Sequence, residues 1–159
     1  MVYLAKREYD KAIAEGERAV ALDPGNWGNF SNYANCLTLA GRPEEAIPLF
    51  QKAIRLSPFG PAYEYANFGH ALRMTERFEE AVSAFKKAIE IAPDRLDVRL
   101  NMAATYSIMG LEKEARSEAA EVLRRDPKFS VDSAAKKLLY KDQSEIDKVV
   151  NAWRKAGLK

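Results

Sequence analysis

Apolar residues recur along the chain with the spacing of one face of an α-helix. Two stripes with this spacing follow each other closely, the first formed by Phe30, Tyr33, Ala34 and Leu37 and the second by Ala46, Phe50 and Ala53. Residues three or four apart lie on the same side of a helix, so each stripe predicts one helix. Because only a short polar segment separates the stripes, we expect the two helices to pack against each other.

The pair of stripes is repeated along the chain. The prolines that close the units, Pro24, Pro58, Pro93 and Pro127, are 34, 35 and 34 residues apart. Proline lacks the amide hydrogen that would continue a helix, so an element is expected to end near each of them. The spacing divides an array, residues 1–129, into a partial repeat, 1–24, and full repeats, 27–58, 62–93 and 96–127.

The period and the residue pattern resemble the tetratricopeptide repeat, a helix-turn-helix unit. Its pattern W-x2-L-G-x2-Y, then A-x3-F…P, is matched in character by Phe30, Tyr33, Ala34, Leu37, Ala46, Phe50 and Pro58, by Tyr65, Phe68, Gly69, Leu72, Ala81, Phe85 and Pro93, and by Met102, Ala103, Tyr106, Ala115 and Pro127. The third unit departs at Arg99 and Ala119. The resemblance implies an all-α fold, an α-solenoid of tetratricopeptide helix-turn-helix repeats. It also implies a concave groove lined by the first helix of each unit.

The region after the repeats, residues 130–159, is expected to form a C-terminal helical cap. Ser130 is placed to cap a helix that extends to about Leu138. Asp142 is placed to start a second helix, and Gly157 suits its end. The second helix carries one apolar face, formed by Ile146, Val149, Val150 and Trp153. This face predicts docking on the array, and a partner site centred on Trp153 is the alternative.

Part of this tail has a second, narrower resemblance. The phrases "KFSVDSAAKKLLYKD" and "RKAGLK" look like the C-terminal end of bacterial class III adenylate/guanylate cyclase-type proteins. In those proteins a tetratricopeptide array follows the cyclase domain, so the resemblance implies a bacterial protein. The metal-binding carboxylates and nucleotide-binding residues of a cyclase domain have no counterpart here, and any cyclase activity would belong to a preceding portion.

The first repeat has only part of its first helix, about Met1 to Ala5, before an intact second helix near Glu8 to Leu22. A solenoid unit cannot bury its apolar face alone. We therefore expect the chain to be a fragment of a longer protein, or its N-terminal edge to be covered by another surface. A second copy of the chain is one candidate, which would make the edge a site of self-association.

Composition and charge exclude several classes of function. The 25 basic and 23 acidic residues nearly balance, so no nucleic-acid partner is expected, and no signal peptide or membrane span is recognisable. The chain therefore reads as a cytoplasmic protein. One cysteine, Cys36, and one histidine, His70, provide neither a metal-ligand cluster nor a nucleophile-base pair. We expect no enzyme activity, no catalytic residue, no metal and no cofactor.

The candidate binding residues lie on the first helices of the units. Asn32, Asn67 and Asn101 occupy the same place in three successive repeats. An asparagine amide both donates and accepts, so three in register would form a ladder that binds the backbone of an extended peptide. The alternative is that these asparagines are simply solvated. The other candidate groove residues are Asn35, Tyr63, His70, Arg73 and Met74.

The carboxylate clamp by which some members of the family bind chaperone tails is not expected. Asn35 and Asn67 match its asparagines, but Ser31, Asp97 and Asn101 stand where its cations belong. His70 and Arg73 remain available to select an acidic or aromatic side chain beside Tyr63. For His70 alone, a groove-wall residue and a pH switch or ligand contact both remain open.

Two functions follow from these observations. The first is a non-catalytic scaffold that binds a protein or an extended peptide in the concave groove. The alternative is a regulatory or oligomerisation appendage of a larger signalling protein, such as a nucleotide cyclase, that acts through the N-terminal edge.

Overall fold

The computed structural model describes residues 2–159, so the predicted helix start at Met1 lies outside the described residues. The described part of the chain is all-helical and contains no strand. Its ten helices are α1 Val2–Ala5, α2 Tyr9–Leu22, α3 Trp27–Leu39, α4 Pro43–Leu56, α5 Ala62–Met74, α6 Phe78–Ile91, α7 Leu96–Ile108, α8 Glu112–Arg125, α9 Val131–Ala135 and α10 Gln143–Lys155. The predicted α-solenoid is confirmed, and α4 continues without interruption through Pro48.

Helices pair within each repeat, α3 with α4, α5 with α6 and α7 with α8, and successive pairs stack. The aromatic residues of the second helices, Phe50 and Phe85, are fully buried at the centre of the stack. The first helices meet them with small residues, because Ala34, Gly69 and Ala103 leave room for a close approach of the helix axes. The recurring small residues of the sequence therefore mark the seam inside each repeat.

The turn between the two helices of a repeat has the same backbone geometry in every unit. A left-handed residue occupies it each time, Arg7, Gly41, Glu76 or Gly110, with φ of 58°, 83°, 60° and 78°. The next residue's amide donates to the carbonyl of the residue five positions earlier, at 2.9 Å in each turn. The partial first repeat shares this turn, so α1 and α2 are placed relative to each other as in the full units.

Replacing Gly69 by alanine should lower the free energy of unfolding. A Cβ atom at this position would lie 2.5 Å from Cε1 of the buried Phe85 ring. The cost of overpacking is about 1–3 kcal/mol, and the better helix propensity of alanine returns up to about 1 kcal/mol. We expect a net loss of about 1–2 kcal/mol, measured by urea unfolding.

Gly25→Ala is the matched control, because its Cβ would approach only Asp23, at 3.6 Å. Its stability should stay within about 0.5 kcal/mol of the parent chain. A Gly69→Ala protein as stable as the parent chain would show that the two helices do not depend on a small residue there.

Candidate functional site

The region after the repeats does not continue the helical pattern as far as the sequence suggests. Ser130 caps α9 by accepting a hydrogen bond from the amide of Ser133, as expected, but α9 ends at Ala135 and not near Leu138. Residues 136–142, called the strap below, form neither helix nor strand. Asp142 then caps α10, and Gly157 follows that helix with φ of 102°.

The strap extends along the side of the array formed by the first helices of the repeats, where the sequence places the groove. The Lys141 amide donates to the carbonyl oxygen of Leu39, at the end of α3, over 2.7 Å. Tyr9 Oη donates to the Leu139 carbonyl over 3.0 Å, and Arg7 Nη2 donates to the Leu138 carbonyl over 3.3 Å. Groups of the first two repeats therefore bind the backbone of a segment more than a hundred residues later.

Tyr140 is the side chain by which the strap enters the groove, and only 3% of its surface is exposed. Its hydroxyl accepts a hydrogen bond from Arg73 Nη2 over 2.8 Å. The Arg73 guanidinium carbon lies 5.9 Å from the centre of the Tyr140 ring, and the His70 ring lies 6.4 Å from it. The structure thus brings together two of the predicted groove residues, His70 and Arg73, beneath a tyrosine that the sequence did not single out.

Helix α10 covers the groove side of the third repeat. Trp153 Nε1 donates to the Leu100 carbonyl of α7 over 2.8 Å, and the Trp153 ring meets Phe129 edge-on. Ala104 of α7 is fully buried in the same apolar cluster as Val149 and Trp153. The C-terminal region therefore covers the concave face as well as packing on the last repeats.

A cavity of about 500 Å³ remains between α7 and the C-terminal region. Its walls include His70, Leu96, Asn101, Leu138 and Trp153. It is mostly apolar with a few polar groups, and its size lies within the range of ordinary ligand pockets. The strap and α10 therefore leave part of the groove unfilled.

The three asparagines of the predicted ladder have different surroundings. Asn32 is exposed and borders a smaller cavity between α2 and α3, whereas Asn101 borders the large cavity beneath the strap. The Asn101 amide donates to the Asp97 carbonyl of its own helix over 2.7 Å. Asn67 is half-buried on α5. The ladder stays a prediction.

The remaining candidates are also distributed along the groove. Asn35 is buried, with 9% of its surface exposed, and Met74 is half-buried at the end of α5. Tyr63 is 40% exposed, and its ring lies 6.5 Å from that of Trp27. This pair lies at the start of α3 and α5, whereas His70 and Arg73 lie on the last two turns of α5.

Tyr140 and three groups that bind the strap were not predicted from the sequence: the guanidinium of Arg7, the hydroxyl of Tyr9 and the carbonyl of Leu39. The segment LLYKD gave one indication of a buried contact, since it has three consecutive apolar residues where the helical pattern ends. Backbone carbonyls carry no sequence signal at all. The sequence therefore could not show which surface the segment LLYKD binds.

Comparison with known families agrees with this architecture. Two models of the tetratricopeptide repeat match the chain, at residues 29–94 and 72–140, and together they span most of it. The chain is a tetratricopeptide repeat protein. A comparison with curated proteins finds no match. Within residues 2–159, no helix is long and apolar enough to cross a membrane, and no group of His, Cys, Asp and Glu side chains is arranged to hold a metal ion.

Several solved tetratricopeptide proteins share the fold. A crystal structure of MamA is 22% identical, with a TM-score of 0.71, and the match covers 97% of this chain and 90% of that one. YrrB, described as a TPR protein with an unusual peptide-binding site, is 22% identical, with a TM-score of 0.67 and coverage of 98% and 79%. A MamA from Desulfovibrio magneticus RS-1 is 17% identical, with a TM-score of 0.72 and coverage of 79% and 70%. The TM-scores establish a common fold.

Burial determines the charge of the side chains around Tyr140 in this tetratricopeptide groove. Burial, and next the charge of Arg73, lower the pKa of His70 to about 3, although Asp97 opposes the shift. The imidazole is therefore neutral at neutral pH. Burial likewise raises the pKa of Tyr140, although Arg73 opposes that shift, and the phenol stays protonated.

The lowered pKa of His70 predicts a loss of stability in acid. Between pH 6.5 and pH 3 the unfolded chain binds a proton that the folded chain does not, so the free energy of unfolding should fall as the pH decreases through this range. Because a shift of one pKa unit corresponds to about 1.4 kcal/mol, the fall between pH 6.5 and pH 5 should be about 2 kcal/mol. We expect His70→Gln to abolish this part of the pH dependence in urea unfolding.

The comparison of the two proteins isolates His70, which is the only histidine in the chain. Glu64, whose pKa burial raises to about 7, titrates in part of the same range with the opposite sign, but it is present in both proteins. Identical pH profiles for the two proteins would contradict a buried, neutral His70.

Proposed function

We propose that this chain is a non-catalytic scaffold whose concave groove binds an extended segment of a partner protein. The observation that carries the proposal is the strap, since the groove side of the array already binds a non-helical segment of polypeptide. Three of the strap's contacts use its backbone, through the carbonyls of Leu138 and Leu139 and the amide of Lys141. One further contact uses a side chain, Tyr140.

These contacts suggest that the groove uses backbone contacts for affinity and one side-chain site for selectivity. Backbone contacts bind any extended sequence, because every residue other than proline has the same amide and carbonyl groups. Selectivity then depends on the site beneath Tyr140, where His70 and Arg73 contact a single side chain of the bound segment. The predicted asparagine ladder, Asn32, Asn67 and Asn101, would add further backbone contacts along the same side.

The positions of the two most reactive side chains support the absence of catalysis. Cys36 is buried, and burial raises the pKa of its thiol, so the nucleophilic thiolate is disfavoured. His70 is neutral but packs between Phe85 and Tyr140, with ring centres 5.8 and 6.4 Å away. The two side chains do not face each other, because Cys36 belongs to the cluster around Leu4 and Tyr9, whereas His70 borders the cavity beside α7.

The groove is favoured over the N-terminal edge as the binding surface. Helix α2 exposes charged residues, among them Glu17 and Arg18, and its large exposed apolar residue is Leu22, whereas a docking edge would be expected to expose a continuous apolar patch. The strap contacts support binding in the groove. No contact among the described residues supports dimerisation through the N-terminal edge or attachment to a nucleotide cyclase. YrrB, whose fold is similar, is described as having a peptide-binding site, which adds weight to the groove.

A labelled synthetic peptide with the sequence of residues 134–144, AAKKLLYKDQS, tests the groove by fluorescence polarisation. The receptor is the full chain with Tyr140→Ala, which weakens the hold of its own strap. We expect saturable binding. Because each lost hydrogen bond costs about 1 kcal/mol, replacing Asn32, Asn67 and Asn101 together by alanine should weaken this binding by about tenfold or more while helicity is unchanged.

Asn151→Ala is the matched control, because Asn151 is exposed on α10. It should leave the affinity unchanged. Unchanged affinity in the triple variant would show that the asparagine ladder does not bind this peptide, and the absence of saturable binding to the Tyr140→Ala receptor would contradict the groove proposal itself.

A further inference from the structure

Arg73 is a buried cation without a buried anion. Its side chain is 2% exposed, and its one hydrogen bond joins Nη2 to the Tyr140 hydroxyl. Nε and Nη1 of Arg73 are buried and have no hydrogen-bond partner among the described residues. Burying a charge is costly unless the charge is paired and hydrogen-bonded. A neutral phenol satisfies one donor and leaves the charge uncompensated.

The carboxylates whose charges act on His70 and Tyr140 are Asp97 and Glu145, and each forms an ion pair with another cation. Asp97 Oδ1 accepts a hydrogen bond from Arg95 Nε over 2.7 Å, and a second bond joins the same two side chains. Glu145 lies 4.0 Å from the ammonium group of Lys148. Across the described part of the chain, Arg73 forms no salt bridge. His70 is neutral and also has a buried, unpartnered nitrogen, Nε2.

The strap that covers Arg73 is held by one buried side chain. Tyr140 is buried, whereas its charged neighbours Lys136, Lys137, Lys141 and Asp142 are exposed. The backbone contacts of the strap come from the exposed Arg7, from the hydroxyl of the buried Tyr9 and from one carbonyl of α3. Loss of the Tyr140 contact therefore leaves the strap with three backbone hydrogen bonds and the partly buried Leu138, which packs against the cluster around Trp153.

Both ends of the strap are anchored independently of it. The Val131 amide donates to the Lys159 carbonyl over 2.8 Å, and Arg154 pairs with Asp132 over 2.9 Å, so the start of α9 is joined to the C-terminus. Helix α10 is held on α7 by Trp153. The strap is therefore a loop between two fixed helices, and it is free to leave the groove without unfolding either.

We propose that the strap is an internal occupant of the groove, and that it is displaced by an extended acidic segment of a partner protein whose carboxylate pairs with Arg73. The inference rests on the proposed function, since it names the chemistry of the segment and the regulation of the same groove.

A carboxylate suits Arg73 better than the phenol does. It supplies the missing charge and accepts two parallel hydrogen bonds from the guanidinium, and such charge-assisted bonds are about twice as strong as neutral ones. A glutamate side chain is shorter than tyrosine, so the backbone of the displacing segment would lie closer to Arg73 than the backbone of Tyr140 does. The cavity of about 500 Å³ beside His70 leaves room for the residues that flank it.

The strap also sets the affinity of the groove. While Tyr140 occupies the site, a partner binds only the fraction of molecules whose strap is released, so the apparent dissociation constant equals the intrinsic one divided by that fraction. A segment in the same chain is present at a high effective concentration. An external segment without the carboxylate therefore competes poorly, whereas one that pairs with Arg73 gains the interaction that the strap lacks.

Three labelled peptides with the sequence of residues 134–144 test the inference, with tyrosine, glutamine or glutamate at the place of Tyr140. The receptors are the full parent chain, the Tyr140→Ala chain and the Tyr140→Ala, Arg73→Met chain. We expect the glutamate peptide to bind the Tyr140→Ala chain about tenfold more tightly than the glutamine peptide does. Arg73→Met should abolish this preference, and the parent chain should bind the glutamate peptide about tenfold more weakly than the Tyr140→Ala chain does.

The outcomes separate the parts of the inference. Equal affinities for the glutamate and glutamine peptides would overturn the acidic partner. Equal affinities of the parent and Tyr140→Ala chains for the glutamate peptide would overturn the strap as an occupant. If the tyrosine peptide binds the Tyr140→Ala chain, the groove proposal stands whichever way these comparisons fall. If no peptide binds that chain, the groove proposal fails and this inference fails with it.

The melting temperature of the single variant Arg73→Met gives a second measurement that does not depend on folding of the Tyr140 variants. Methionine has a similar apolar stem and carries no charge to bury. If Arg73 lacks its anion in the parent chain, the variant should melt at the same temperature or higher. A clearly lower melting temperature would show that the guanidinium is already satisfied, and would overturn the inference.

Discussion

Every repeat in this protein depends on the close approach of two helices at a small residue. Gly69 lies directly against the ring of Phe85, and Ala34 and Ala103 occupy the same place in the neighbouring repeats. This contact lets the large aromatic side chains of the second helices fill the core. The common left-handed turn, seen from Arg7 to Gly110, keeps each pair in the same orientation. The first helices consequently line up along one side and form the concave face.

That face would expose a row of polar and small side chains if nothing covered it, and the C-terminal region does cover it. Helix α10 buries Ala104 of the third full repeat, Tyr140 covers His70 and Arg73 of the second full repeat, and the end of the strap binds the carbonyl of Leu39 in the first full repeat. The cover is uneven, because α10 packs through a continuous apolar face, whereas the strap has one fully buried side chain, Tyr140, beside the partly buried Leu138 and three backbone hydrogen bonds. The strongly held part completes the fold, and the weakly held part lies over the residues suited to recognition.

Arg73 illustrates the conflict between these two roles. A core position favours an apolar side chain, whereas a recognition site favours a charged side chain that is paired only when the partner binds. In this structure the Arg73 guanidinium is buried like a core residue, but two of its nitrogens have no hydrogen-bond partner. Tyr140 covers it, since the ring centre lies 5.9 Å from the guanidinium carbon and the hydroxyl accepts one hydrogen bond. His70 stays neutral beside it and adds no further charge.

The sequence by itself determined the helices, their pairing and the period of the repeat, because each of these depends on local spacing of apolar, small and turn-forming residues such as Ala34, Phe50 and Pro58. It also indicated which helices carry the groove, and it singled out His70 and Arg73. Only the tertiary structure decided what fills that groove. The strap is bound through carbonyls and amides and through a tyrosine far along the chain, and backbone groups look alike in every sequence. The helical pattern fails after Ala135, but where the released segment goes depends on surfaces that exist only once the repeats have stacked.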